Sequence, residues 1–203
     1  MASFHDSARG TTAAWHVRRR SPVADRPWLA RYAQMVSPLR GAAFALAVLL
    51  AIAAFVRLGV TPEAFVAGSL ICVLIGLSVV DIEQRRLPNR VVLPAAVAML
   101  AVQTALSPDR ALEWALAAVG AALLLLLPLL VFPGAMGMGD VKLALLLGAG
   151  LGATVATALL LAFVSAGVFA VAIVARGGAD ARRRTIAFGP FLAAGAIATM
   201  LMA

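Results

Sequence analysis

Long apolar runs without a strand or amphipathic-helix period dominate this sequence. The runs fall near residues 41–57, 63–81, 91–107, 111–132, 141–151, 153–175 and 187–203. An apolar run of about 20 residues is long enough to cross the ~30 Å hydrocarbon core of a membrane as a helix. The pattern therefore predicts an all-α protein, a polytopic bundle of about six or seven transmembrane segments.

The fifth run is the exception, because as a helix it reaches only about half of the hydrocarbon thickness. It is either a half-helix or continues into the sixth run. The stretch LGAGLG at 147–152 is the expected break or close-packing point between the two runs.

The composition agrees with a membrane protein. Of the 203 residues, 63% are hydrophobic and 13% are charged, whereas soluble domains carry roughly 25% charged residues. The formal net charge of +8 could indicate nucleic-acid binding. The basic residues, however, lie in the N-terminal segment and in loops beside apolar runs. That placement is typical of a cytoplasmic membrane surface, so the predicted partner is the lipid bilayer and not nucleic acid.

Two domains are predicted from the change in composition. Residues 1 to about 40 are polar and include three consecutive arginines at 18–20. We expect them to form a basic cytoplasmic tail that is partly disordered. Residues 41–203 would form the membrane domain.

The distribution of lysine and arginine also predicts how the chain is oriented in the membrane. The loops near 82–90, 133–140 and 176–185 belong with the tail, whereas the segments 58–62 and 108–110 are short and nearly uncharged. A seven-segment path with a cytoplasmic N-terminus places every basic loop inside, as the distribution of positive charge in membrane proteins requires.

Two of the nine acidic residues stand at the edge of apolar runs on the predicted cytoplasmic side. Asp81 ends the second run, and Asp140 opens the fifth. A carboxylate at membrane depth is costly and usually has a function or a partner. Six other acidic residues are explained as ordinary solvated groups in the tail, in loops or at the outer ends of runs. They are Asp6, Asp25, Asp109, Asp180, Glu63 and Glu113.

A pair of carboxylates indicates aspartic peptide hydrolysis. Two carboxylates that lie close together share a proton, so one can act as a base on water while the other protonates the substrate carbonyl. The only histidines, His5 and His16, lie in the tail, which argues against a serine–histidine protease and against a histidine-ligated zinc site. Cys72 is the single cysteine, which excludes a disulfide framework and a cysteine-based zinc site within one chain. No metal and no cofactor are expected.

Two glycines precede the second aspartate. Gly137 and Gly139 lack a Cβ atom, so an extended substrate could approach the backbone closely beside Asp140. The alternative is an ordinary loop before a helix.

Three stretches resemble motifs of one family. DIEQRRLPNRVVLP at 81–94 and GMGDVKL at 137–143 resemble the two catalytic motifs of the type IV prepilin peptidases, which are GxGD membrane aspartic proteases. FGPFLAAG at 188–195 resembles the late motif of that family. The motifs occur in the expected order.

The resemblance implies roles for individual residues. Asp81 and Asp140 match the catalytic pair of the family. Pro88 and Asn89 match the loop after the first aspartate, and Lys142 matches the basic residue after the second. The chain is therefore expected to be an aspartic endopeptidase.

The resemblance also implies the substrate, a prepilin-like precursor with a short basic leader and an apolar helix. Cleavage would occur at the cytoplasmic face of a bacterial or archaeal inner membrane, usually after glycine. Longer members carry paired cysteines near the N-terminus and also methylate the new N-terminus with S-adenosylmethionine. This chain has no paired cysteines. It resembles the short peptidases of tight-adherence (Flp-type) pilus systems, and methylation is left open.

Some alternatives remain. Asp81 and Asp140 could be relay groups of a small proton-coupled transporter or channel subunit, although a relay is more natural near the bilayer midplane. Glu83 is either an exposed loop charge, the favoured interpretation, or a contact for the basic leader. Lys142 is expected to be a snorkelling anchor rather than an ion-pair partner of Asp140.

Overall fold

The computed structural model describes residues 27–84, 87–131, 137–181 and 187–202. Within these ranges the chain forms α-helices and short 3-10 turns and has no strand, so the all-α prediction is confirmed. The helices are α1 (Pro27–Leu58), α2 (Pro62–Gln84), α3 (Asn89–Leu106), α4 (Ala111–Val131), α5 (Met138–Leu151), α6 (Val155–Ala181) and α7 (Gly189–Met202).

Five helical segments in the described part of the chain are long and apolar enough to cross a membrane. They are Pro38–Leu58, Pro62–Gln84, Asn89–Leu106, Pro108–Val131 and Met138–Arg176. Helix α7 is a shorter apolar helix. The chain is thus a multi-pass membrane protein, while the total of six or seven segments and the cytoplasmic N-terminus stay predictions.

The fifth and sixth apolar runs form separate helices. Helix α5 has 14 residues and ends at a 3-10 turn, Gly152–Thr154, from which α6 begins. Gly152 has a φ of 57°, which is a left-handed conformation that glycine adopts without strain. The expected break at LGAGLG therefore lies at its last glycine.

The structure describes the N-terminal region from Pro27 onward. The chain divides into two compact units, residues 1–35 and 36–203. In the first unit, the backbone of residues 27–35 is helical, so the last part of the stretch assigned to a polar tail has regular structure. The domain boundary near residue 40 stays a prediction. The arginines at 18–20 and both histidines lie outside the described residues, as do residues 85–86, 132–136 and 182–186 of the predicted basic loops.

Helix α5 lies at the centre of the second unit, where it contacts α2, α3, α4, α6 and α7. Leu143, Leu146 and Leu147 of this helix are almost completely buried. A helix enclosed on all sides has to be apolar all round, which explains why this run shows no polar face. At its C-terminal end, the amide of Gln103 on α3 donates to the Gly150 carbonyl oxygen at 2.8 Å. That bond satisfies one of the carbonyls that a helix end leaves without a partner.

Glycines allow the closest helix contacts in the bundle. A Cβ atom at Gly148 on α5 would overlap the Ala117 carbonyl oxygen of α4, and one at Gly195 on α7 would overlap the Ala158 carbonyl oxygen of α6. Small residues of this kind let helix backbones approach each other in membranes, where van der Waals packing drives association.

We expect Gly148→Ala to destabilise the protein, because the added methyl group has to push α4 away from α5. Overpacking of this kind costs roughly 1–3 kcal/mol. Gly120→Ala on α4 is the matched control, since no atom lies within 4 Å of its added methyl group and alanine favours the helix by up to ~1 kcal/mol. Thermal unfolding of the detergent-purified variants measures the difference. Equal stability of the two variants would contradict the close packing of α4 and α5.

The orientation can be tested at the two ends of α3. Gln84 and Asp109 flank this helix, and both are exposed. A cysteine at residue 84 should be labelled from the cytoplasm and a cysteine at residue 109 from outside, in a Cys72→Ser background. A membrane-impermeant maleimide applied to intact spheroplasts and to opened membranes measures the sidedness. Labelling of both positions from one side would exclude the predicted path.

Candidate active site

Asp81 lies in the last turn of α2, and only 7% of its surface is exposed. The C-terminal end of a helix carries a partial negative charge, so α2 alone is an unfavourable place for a carboxylate. The N-terminus of α7 compensates for this, because the backbone N–H of Gly189 donates to Asp81 Oδ2 at 3.1 Å.

The sequence at the start of α7 explains why Gly189 is the donor. The first N–H groups of a helix lack partners within the helix. Here Phe191 and Leu192 donate to the Phe188 carbonyl oxygen, and Pro190 has no N–H group. A Cβ atom at Gly189 would lie 2.6 Å from Asp81 Oδ2, so only glycine allows this approach.

Asp140 lies in the first turn of α5, and 9% of its surface is exposed. Its N–H donates to the carbonyl oxygen of the N-cap residue Gly137 at 3.1 Å. Its carboxylate lies close to Gly137, since a Cβ atom there would lie 3.6 Å from Asp140 Oδ2, and the Gly137 backbone N–H interacts favourably with it. A carboxylate that reaches back to the N-cap N–H is a known stabilising arrangement at helix starts, and the positive end of the helix dipole adds to it.

The two aspartates belong to one site. Their carboxylates are close enough to interact electrostatically with each other, and both are buried at the same end of the bundle. Each lies at a helix N-terminus, because Asp81 accepts from the Gly189 N–H of α7 and Asp140 is in the first turn of α5. The structure thus places the two residues that the sequence singled out at one end of the bundle, within range of each other's charge.

The two glycines before Asp140 have different surroundings. A Cβ atom at Gly139 would lie 3.1 Å from the Cβ atom of Leu87, in the segment between α2 and α3. Gly139 therefore allows the segment between α2 and α3 to pack against the start of α5. Gly137 is exposed, and a Cβ atom there would lie 3.6 Å from Asp140 Oδ2. Of the two, Gly137 is the one that leaves backbone open beside the carboxylate.

Lys142 makes a hydrogen bond to α3, and its role as a snorkelling anchor stays a prediction. Its ammonium group donates to Asn89 Oδ1 at 2.7 Å. Asn89 is the first residue of α3, directly after the N-cap residue Pro88. The bond joins the start of α3 to the first turns of α5 and so helps to hold the segment after Asp81 next to Asp140.

Glu83 differs from the expected exposed loop charge. It lies in the last turn of α2, and its side chain is only 5% exposed. Arg40 on α1 binds it through two hydrogen bonds of 3.0 and 2.8 Å. The sequence could not indicate this pair, because Arg40 stood at the end of the predicted tail.

A metal centre is not evident in the described ranges, where no group of three or more histidine, cysteine, aspartate or glutamate side chains could hold an ion. The site is built from two carboxylates and backbone N–H groups.

Comparison with known proteins gives one match. A sequence model of the type IV leader peptidase family matches residues 68–171, which include both aspartates and cover just over half of the 203 residues. No curated protein and no solved structure matches the chain.

The contact between Gly189 and Asp81 predicts a measurable coupling. Gly189→Ala should lower the free energy of unfolding by roughly 1–3 kcal/mol, because the methyl group meets the carboxylate. In an Asp81→Ala background the same change should cost clearly less, since the carboxylate is gone. A double-mutant cycle of thermal unfolding measures this coupling. An equal cost in both backgrounds would contradict the contact.

Proposed function

Because the chain belongs to the type IV leader peptidase family, we propose that it is a membrane-embedded aspartic endopeptidase with Asp81 and Asp140 as its catalytic pair. The observation that supports this most strongly is the burial of two interacting carboxylates at one end of an apolar bundle. A charged group in such surroundings is costly and needs a role or a partner. Hydrolysis by a carboxylate pair gives both residues a role.

In the proposed mechanism the pair carries one proton. The ionised aspartate takes a proton from a water molecule, and the resulting hydroxide attacks the scissile carbonyl carbon. The protonated aspartate donates to the carbonyl oxygen at the same time. When the C–N bond breaks, the leaving nitrogen receives a proton from the pair, and one hydroxyl of the tetrahedral intermediate returns its proton to the pair as the C=O bond re-forms. The products are a carboxylic acid and an amine, and the pair again carries one proton.

The backbone donors fit this mechanism. The Gly189 N–H holds the Asp81 side chain in place, and the start of α5 presents the Gly137 N–H close to Asp140. Neither backbone group titrates, so the shared proton stays with the carboxylates. Fixed dipoles of this kind need no reorganisation as charge develops in the transition state. The exposed backbone at Gly137 offers a place where an extended substrate could lie beside Asp140.

The proposed substrate is a prepilin-like precursor with a short basic leader and an apolar helix. The carboxylates lie at helix ends rather than in the middle of a span, which suits a scissile bond at the membrane boundary. The apolar helix of the substrate would stay in the bilayer and the leader would stay in water. With the basic loops inside, this boundary is the cytoplasmic one.

We expect Asp81→Asn and Asp140→Asn each to abolish processing, because an amide can neither accept a proton from water nor share one. The double variant should be no worse than either single variant, since residues that act as one unit are not additive. Processing of a co-expressed prepilin-like precursor, normalised to the amount of folded enzyme, measures the effect.

Asp109→Asn is the matched control for this experiment. It makes the same chemical change in the exposed turn between α3 and α4, and processing should be retained. Near-normal processing by either Asp81→Asn or Asp140→Asn would overturn the peptidase mechanism and favour the relay function.

A further inference from the structure

Helix α1 contributes few buried residues to the bundle. Within its span Pro38–Leu58, 11% of the apolar window is buried, compared with 17–50% in the other four spans. Polar contacts hold both ends: Arg40 binds Glu83 on α2, and Arg57 donates to the Leu201 carbonyl oxygen on α7 at 2.7 Å. Between these ends, apolar cavities of about 360 and 580 Å³ lie along its two flanks.

The contact at the cytoplasmic end is asymmetric. The Glu83 side chain is 5% exposed, whereas the Arg40 side chain is 62% exposed. Both carboxylate oxygens accept from the guanidinium, at 3.0 and 2.8 Å. With Arg40 in place, one planar cation engages both oxygens of the Glu83 carboxylate, and the side chain that carries this cation is itself largely exposed.

We propose that Glu83 is a cation subsite of the peptidase, which takes an arginine or lysine side chain of the substrate in exchange for Arg40. The inference rests on the proposed function, because it needs a peptide that reaches the aspartate pair. Arg40 is then an internal competitor that occupies the Glu83 carboxylate while no substrate is bound. Exchange of one cation for another replaces one charge-assisted contact by another of the same kind, so it costs less than release of Arg40 without replacement.

The position of Glu83 indicates which part of the substrate it meets. It follows Asp81 by two residues, so the two side chains leave α2 on different faces. Glu83 is closer to the helix end at Gln84 and therefore to water. The leader lies on that side, because the apolar part of the substrate stays in the bilayer. A peptide crossing the end of a helix ~10 Å wide needs about three extended residues. The recognised cation should therefore stand two to four residues before the scissile bond.

The pair Arg40–Glu83 could instead be a purely structural link between α1 and α2, and a charge swap separates the two roles. Arg40→Glu combined with Glu83→Arg keeps an ion pair but turns the cation subsite into one for anions. Glu113→Gln is the matched control, because Glu113 accepts two 2.8 Å hydrogen bonds from Arg110 in an exposed pair at the start of α4.

The test uses full-length enzyme in vesicles and precursors that carry arginine, glutamine or glutamate at the second to fourth positions before the scissile bond. The readout is the ratio of kcat/KM values between precursors, which cancels differences in the amount of folded enzyme. Wild type and Glu113→Gln should prefer arginine over glutamine. Glu83→Gln should reduce that ratio about tenfold, as expected for one lost charge-assisted contact. The charge swap should prefer glutamate.

An arginine-to-glutamine ratio that is the same in Glu83→Gln and wild type would overturn the cation subsite. So would a charge swap that restores the wild-type preference, because a structural pair predicts that result. Both results leave the proposed function standing, since the precursors are still cleaved. Failure of the wild-type enzyme to cleave any of the precursors would instead contradict the proposed function itself.

Discussion

Burial of two carboxylates at the end of an apolar bundle is the constraint on which the rest of the structure depends. Each needs hydrogen-bond donors that water would otherwise supply. The chain provides them at helix N-termini: Gly189 of α7 donates to Asp81, and Asp140 lies in the first turn of α5, close to the Gly137 N–H. Both donor helices have only 14 residues, and both begin at the carboxylates. The short helices are therefore part of the site, because each places its free N–H groups at the depth of an aspartate.

The surrounding contacts hold these two helix starts in place. Leu87 packs on Gly139, and the Lys142–Asn89 bond joins α5 to α3, so the segment after Asp81 is tied to the first turns of α5. At the far end of α5, Gln103 satisfies the Gly150 carbonyl oxygen. Gly148 and Gly195 bring α4 and α6 against the two short helices. Helix α1 takes little part in this network, since only 11% of its apolar window is buried and its polar contacts include Arg40 with Glu83 and Arg57 with the Leu201 carbonyl oxygen.

The all-α fold and the positions of the two aspartates could be predicted from the sequence, because polar residues in apolar surroundings are conspicuous. Asp81 and Asp140 stood out at the edges of apolar runs, and the glycines at 147–152 marked the end of α5.

The contacts that complete the site join residues far apart in the chain. Gly189 is 108 positions from Asp81, and Arg40 is 43 positions from Glu83. No local pattern reports such pairs. The Gly–Pro start of α7 was the available signal for the first, since Pro190 lacks an N–H group and Gly189 permits a close approach. Gly139, the glycine directly before Asp140, packs against Leu87. A glycine beside an aspartate can therefore serve helix packing as well as substrate access.

The central claim is that the pair activates water directly, without a covalent intermediate. Intact-mass measurement during turnover of a prepilin-like precursor by the vesicle-reconstituted enzyme tests it most directly. The account predicts two products whose masses add up to the precursor plus one water, from a cut at the start of the apolar segment, with an unchanged enzyme mass throughout. An enzyme species heavier by the mass of the leader, or a precursor that stays intact, would contradict it.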